Sequence, residues 1–249
     1  MDASRNLLLA ALPDLERRSL LALMHSMPLE TGVVVYEQEA PVSDVYFPLA
    51  GAVALLIILK DGRAVEPAII GREGMLGLPL GLGRNVSPWQ SIVQVPGEAL
   101  AMPREALRDF LLQPGHLAPL LTHFAGLLVG FAAQSAACSQ FHSIEQRTAR
   151  WLLIMRSRAE RDEFAITQEE FAHMLGVHRP SETVALAGLR ERGLIEQRRG
   201  NIRILDVAGV EGVACECWVR SARQYAELVE VSKAAWPPQG GDSYPEQRN

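Results

Sequence analysis

Only three cysteines, Cys138, Cys215 and Cys217, occur in the 249 residues. That is too few for a disulfide-stapled scaffold, and their spacing offers no set of four ligands for zinc or an iron–sulfur centre. Placed on one helix, Cys215 and Cys217 would point about 200° apart. Buried thiols are therefore expected rather than a redox pair, and neither a metal nor a cofactor is expected. His123 and His142 read as seam or surface residues.

Long apolar runs are also missing. The longest, Leu49 to Leu59, falls well short of the roughly 20 residues that cross a bilayer. The stretch from 117 to 133 is interrupted by Thr122 and His123. The N-terminus shows no cleavage region of a signal peptide. No membrane partner and a cytoplasmic location are expected. Histidine is absent between Thr31 and Pro103, so a metal-dependent enzyme of the cupin type, which needs two histidines and a carboxylate inside its barrel, has no ligands there. An enzyme is not expected.

Excess positive charge is lacking as well, since the net charge is −5. The deficit is uneven: residues 1–146 hold 9 Lys and Arg against 14 Asp and Glu, residues 147–206 hold 11 against 9, and the rest 4 against 6. One segment turns basic, which permits a nucleic-acid contact without demanding it.

The pattern predicts an α+β chain of two small domains. After an apolar helical patch (Leu7, Leu8, Leu12, Leu15, Leu20, Leu21, Leu23) come β-like runs, VVVY, DVYFPLAGAVALLIIL, AVEPAII and SIVQV. Between them stand turn signals at Pro41, Gly51, Asp61-Gly62, Gly71, Gly83 and Pro96-Gly97. Many short strands imply a sandwich or barrel. A long helix follows Pro114-Gly115. Leu117, Leu121, Phe124, Leu128, Phe131, Ser135, Cys138 and His142 alternate spacings of four and three, a heptad seam that predicts pairing with a second copy.

Thr167 to Glu170 reads as a capping box that opens a helix. Gly176 suits a left-handed helix end, and Pro180 fits the first turn of the next helix, where its missing N–H has no helical partner. Two helices around a tight turn make a helix-turn-helix whose exposed tip carries His178, Arg179, Ser181 and Glu182. An arginine there can hold guanine and a glutamate can accept from cytosine. LIEQRRGNIRIL around Gly200-Asn201 reads as a hairpin wing, with Arg198, Arg199 and Arg203 placed for phosphate contact. A dimeric adaptor without DNA binding would need neither device.

With these motifs the chain resembles the Crp/Fnr family of bacterial transcription regulators over about residues 7 to 230. LETGVVVYEQEAPVSDVYFPLAGAVALL is similar to the family's sensory roll, a jelly-roll-like double-stranded β-helix, and 115–157 to its dimerisation helix. TQEEFAHMLGVHRPSETVALAGLRERGLIEQRRGNIRILD is similar to its winged helix-turn-helix. GVEGVACECW resembles a subgroup with a helix after the wing. The resemblance implies a sensory unit at 1–114, a dimerisation helix at 115–157 and a DNA-binding unit at 158–230, with 231–249 a disordered tail. It implies a homodimer on a palindromic site in double-stranded DNA, with RNA polymerase as a further partner for an activator. In the ungapped register between Gly176 and Leu194, His178, Arg179 and Ser181 fall on DNA-contact positions, along with Thr167 and Gln168 at the start of the first helix. Pro180 and Val184 replace a base-reading glutamate and a second arginine. For the effector pocket the resemblance points to Glu73, Gly74, Arg84, Trp89, Gln90 and Ser91. Trp89-Gln90-Ser91 stands where cyclic-nucleotide binders carry the arginine that grips the phosphate, so cyclic AMP is not expected as the effector.

Overall fold

The computed structural model describes residues 2–166, 171, 174–176, 179–198 and 200–234; for 179–183, 233 and 234 it describes the backbone alone. Asn6 caps the first helix, α1 (Leu7–Ala11), its side-chain oxygen accepting from the N–H groups of Leu8 and Leu9 at 3.1 Å each. Its amide also donates to the carbonyls of Pro48 and Gly74 at 2.9 Å, fastening the N-terminus to the sheet domain. Helix α2 (Asp14–Leu21) follows.

The sheet runs β1 (His25–Leu29), β2 (Val34–Tyr36), β3 (Asp44–Ile58), β4 (Ala64–Ile70) and β5 (Gln90–Pro103), with the short helix α3 (Leu78–Gly81) before β5. The order is β1-β5-β3-β4, antiparallel, with β2 also on β5. The Asp61-Gly62 turn joins β3 to β4 as its sequence predicts, Gly62 taking a φ of 83°. Gly51 and Pro96-Gly97 do not end strands. They lie inside β3 and β5, where the pairing shifts register. A Cβ on Gly97 would come 2.1 Å from the Ala50 carbonyl oxygen, and one on Gly51 2.6 Å from that of Val95. Glycine is required there for backbone approach at a bulge.

Helix α4 (Arg104–Leu111) leads to α5 (Leu117–Phe141). The helix predicted over 115–157 is two helices: His142 is extended, and Ser143 caps α6 (Ile144–Ala159) with a capping box to Gln146. A fresh N-cap at that point explains the break. The C-terminal unit then has β6 (Glu163–Ala165), α7 (Arg179–Glu191), β7 (Ile195–Arg198), β8 (Asn201–Ile204), α8 (Val207–Val213) and α9 (Cys217–Ala234), with β6-β8-β7 as a small antiparallel sheet. Helix α9 continues past the tail boundary read at 231; residues 235–249 lie outside the described ones.

Two large hydrophobic cores stand out among the described residues. One lies inside the sheet domain and collects α1, α5 and Leu228 of α9. The other joins α6 and the C-terminal unit to the outer face of the sheet through Ala52, Ala54, Leu56, Ile69 and Val95. The halves therefore share apolar surface.

The seam on α5 is corrected by this packing. Leu117, Leu121, Phe124, Leu128, Phe131 and Cys138 are buried within their own chain, and Ser135 is half-buried. Heptad spacing reports a buried face and not what buries it. The opposite face of the helix, one or two residues beyond each seam position, carries Thr122, Gly126, Val129, Ala133, Ala136 and Gln140, all exposed. Mean hydropathy of 1.5 over α5 would suit a membrane span, but the apolar bulk of the helix is spent on the protein's own core.

Candidate nucleic-acid interface and sensory pocket

The helix-turn-helix is anchored from beneath. Phe171, Met174 and Leu175 are buried, and Phe171 meets Trp151 of α6 edge-on with ring centroids 4.8 Å apart. Gly176 has a φ of 62°, the left-handed helix end that its sequence position predicts. The Leu175 carbonyl that precedes it accepts from Arg147. Helix α7 follows and turns Ala185, Leu186 and Leu189 inward while Val184 is 73% exposed. Its backbone begins at Arg179, and a helix N-terminus presents its first N–H groups and the positive end of its dipole. The side chains of Arg179, Ser181 and Glu182, and residues Thr167, Gln168, His178 and Arg199 altogether, lie outside the described residues.

The wing is a hairpin with Gly200 at a φ of 81° in its turn. Ile195, Ile202, Ile204 and Phe164 point into the core, so by strand alternation Glu196, Arg198, Arg203 and Glu163 share the outer face. Arg198 lies 2.6 Å from Glu196 and Arg203 lies 3.7 Å from Glu163. These exposed pairs are weak, so a phosphate can displace the carboxylates. Arg198 stands near the turn, whereas Arg203 lies opposite Glu163 and Glu196 in the register, where two acids offset its charge.

The sensory candidates do not converge on one cavity. Glu73 is fully buried, and its carboxylate is held by the Gly71 N–H and by the guanidinium of Arg158 on α6, at 3.0 Å each. Arg158 also stacks on Tyr225 of α9, 4.3 Å from its ring centroid, and lies 5.3 Å from that of Phe131. A Cβ on Gly74 would fall 2.2 Å from Phe124, so that ring fills the space over the turn. Arg84 is exposed on the loop after α3, Trp89 packs on the sheet core, Gln90 donates to Glu37 at 2.8 Å, and Ser91 is buried. A cyclic phosphate needs a cation facing this turn. The guanidinium of Arg158, which reaches it, is paired with Glu73.

Sequence reasoning also missed Glu66 on β4. It is buried between Trp151 of α6, whose indole N–H donates to it at 2.9 Å, and Gln94 of β5, whose amide donates at 3.2 Å. Burial pushes its carboxyl up to about 8, against the hydrogen bonds from Trp151 and Gln94. With Arg147, Arg150, Arg158 and Met174 it lines a narrow cleft between sheet, α6 and helix-turn-helix that holds about 50 Å³ of free space. A charged residue inside an apolar strand was the available signal.

The expectation of no metal-ligand cluster is overturned as well. Cys138, His142, Cys215 and Cys217 place one ligand atom each within 4.8 Å of one another. Cys138 lies on the last turn of α5, and His142 is the C-cap four residues on. Cys215 precedes α9 and Cys217 begins it, so the 200° separation assumed for a shared helix does not apply.

Comparison with known proteins bears on both halves. Residues 27–113 match the cyclic nucleotide-binding domain and residues 146–212 the Crp-like helix-turn-helix domain. The CRP-like cAMP-activated global transcriptional regulator of Mycobacterium tuberculosis is 26% identical over 185 residues, which cover 70% of this chain and 81% of that one. Among solved structures, FixK2 from Bradyrhizobium japonicum has a TM-score of 0.65 at 17% identity, covering 77% of this chain and 98% of its own. The c-di-GMP responsive regulator CLP of Xanthomonas campestris has 0.62 at 16%, covering 77% and 99%. A sensory roll and a winged helix-turn-helix, matched in this order and joined through the α5–α6 pair, mean that this chain belongs to the Crp/Fnr family of transcription regulators.

Proposed function

We propose that the protein is a homodimer that reads a palindromic operator by placing the N-terminus of α7 in the major groove, with the wing on the adjacent phosphates. The observation that carries this reading is α7 itself: Ala185, Leu186 and Leu189 hold it on the core with Val184 exposed on its other side, and an exposed, arginine-bearing hairpin follows it in the chain. Crp-like regulators bind DNA and are generally dimers. The exposed small-residue face of α5, from Thr122 to Gln140, offers a second copy a close approach of helix to helix. Such a regulator works on the chromosome, in the cytoplasm.

Although one relative is described as cAMP-activated, we infer that this roll does not take cyclic AMP. The Arg158–Glu73 pair and the Phe124 ring support an effector of other chemistry, or a roll that works without one. The test of the main reading is selection of bound sequences from a random duplex library by the full chain, followed by titration over several salt concentrations. A palindromic consensus with a strongly salt-dependent affinity is expected. Equal binding to all sequences would overturn it.

A further inference from the structure

We propose that Cys138, His142, Cys215 and Cys217 form a closed, four-coordinate site for a single zinc ion, which fastens the end of α5 to the start of α9. The Cys138 and Cys215 sulfurs are 3.5 Å apart, and the Cys217 sulfur is 3.6 Å from Nδ1 of His142. Tetrahedral zinc with thiolate and imidazole ligands sets sulfur–sulfur and sulfur–nitrogen separations of about 3.8 and 3.5 Å, from bond lengths of about 2.3 and 2.0 Å. The four ligand atoms all lie within 4.8 Å of one another, the span of a mononuclear site. An iron–sulfur cluster, with ligands on different irons, needs a wider cage.

The surroundings fit a metal. All three thiols are buried and unbridged. Nε2 of His142 lies 3.1 Å from Glu216, the residue between the two ligand cysteines. That carboxylate fixes the imidazole with Nδ1 toward the sulfurs, as carboxylates commonly do behind ligating histidines. Gln134 donates to Cys217 at 2.9 Å. Zinc binding would release the thiol protons, and Arg147 and Arg150, whose charges act on these thiols, offset the negative charge of three thiolates around one dication. Three cysteines and a histidine leave no open position, so the role is structural.

The experiment is metal analysis of the full chain purified reduced and without chelator, with cobalt substitution as the spectroscopic probe. One zinc per chain is expected, and cobalt should show thiolate charge transfer with the intense visible bands of four-coordination. Cys138→Ser and His142→Ala should lose the metal. Glu216→Gln should keep the stoichiometry but loosen it roughly 10–100-fold in chelator competition. If the ligand variants fail to fold, the wild-type cobalt spectrum and Glu216→Gln still decide. Absence of metal uptake by reduced protein, an iron–sulfur chromophore, or a Cys138–Cys215 disulfide in metal-free protein would each overturn the proposal. None of these outcomes bears on whether the chain binds DNA.

Discussion

Trp151 of α6 donates its indole N–H to the buried carboxyl of Glu66 on β4. The helix that supports the helix-turn-helix is thereby hydrogen-bonded to a strand of the sensory roll, through a group that titrates near neutrality.

That group predicts a pH dependence. The carboxyl of Glu66 is raised to about 8 in the folded chain against 4.5 as its ordinary value. A raised folded value stabilises fully below the unfolded one, and that contribution is lost as pH rises through the folded one. Between about pH 4.5 and 8, unfolding releases a proton, so stability falls by up to about 1.4 kcal/mol per pH unit from this group. Glu66→Gln keeps an acceptor for Trp151 and should flatten the fall. Thermal melts of both proteins across pH 5–9 check it; identical pH profiles would show that Glu66 does not titrate in this window.

The two faces of α5 predict opposite phenotypes. Val129→Glu places a charge on the exposed face and should give folded monomers with weakened operator binding. Leu128→Glu buries an unpaired charge in the chain's own core and should cost more than about 3 kcal/mol, losing the fold. Sedimentation with circular dichroism separates them. A dimeric Val129→Glu protein would move the dimer contact elsewhere.

Base reading and phosphate binding should separate as well. Arg179→Ala is expected to cost about 1–3 kcal/mol and to relax preference at one position of each half-site. Arg198→Ala should weaken all sequences alike and lower the salt slope by about one per contact, so roughly two for a symmetric dimer. Titrations of a single-base variant library at several salt concentrations read both, and unaltered base preference in Arg179→Ala would remove that residue from the reading head.

Cyclic AMP at millimolar concentration should leave the melting temperature unchanged. A ligand at a hundred times its dissociation constant would add about 2.7 kcal/mol, which scanning fluorimetry detects. A saturable upward shift would mean that Phe124 and Arg158 move aside.

Signals confined to a few neighbouring residues were legible in the sequence. Gly176, Gly200 and Asp61-Gly62 each act through their own φ or turn, and the wing and the β3–β4 hairpin stand where they predict. What depends on a distant partner was not legible. The α5 periodicity identified an apolar face, but whether the roll or another chain covers it is decided in three dimensions. The strand His25–Leu29 contains a histidine, a serine and a proline, and exists through its pairing with β5. The cysteines stand 77 residues apart at their contact, a separation that local spacing rules do not reach.

Arg158 is where the sensory turn, α6 and α9 meet, through Glu73, its own backbone and Tyr225. One oxygen of Glu73 faces both that guanidinium and the Gly71 N–H, while the other has no hydrogen-bond partner among the described residues. A displacement of the guanidinium would uncover Tyr225 and Phe131 together, so the turn, α6 and α9 share one cation through which a change at any of them can reach the other two.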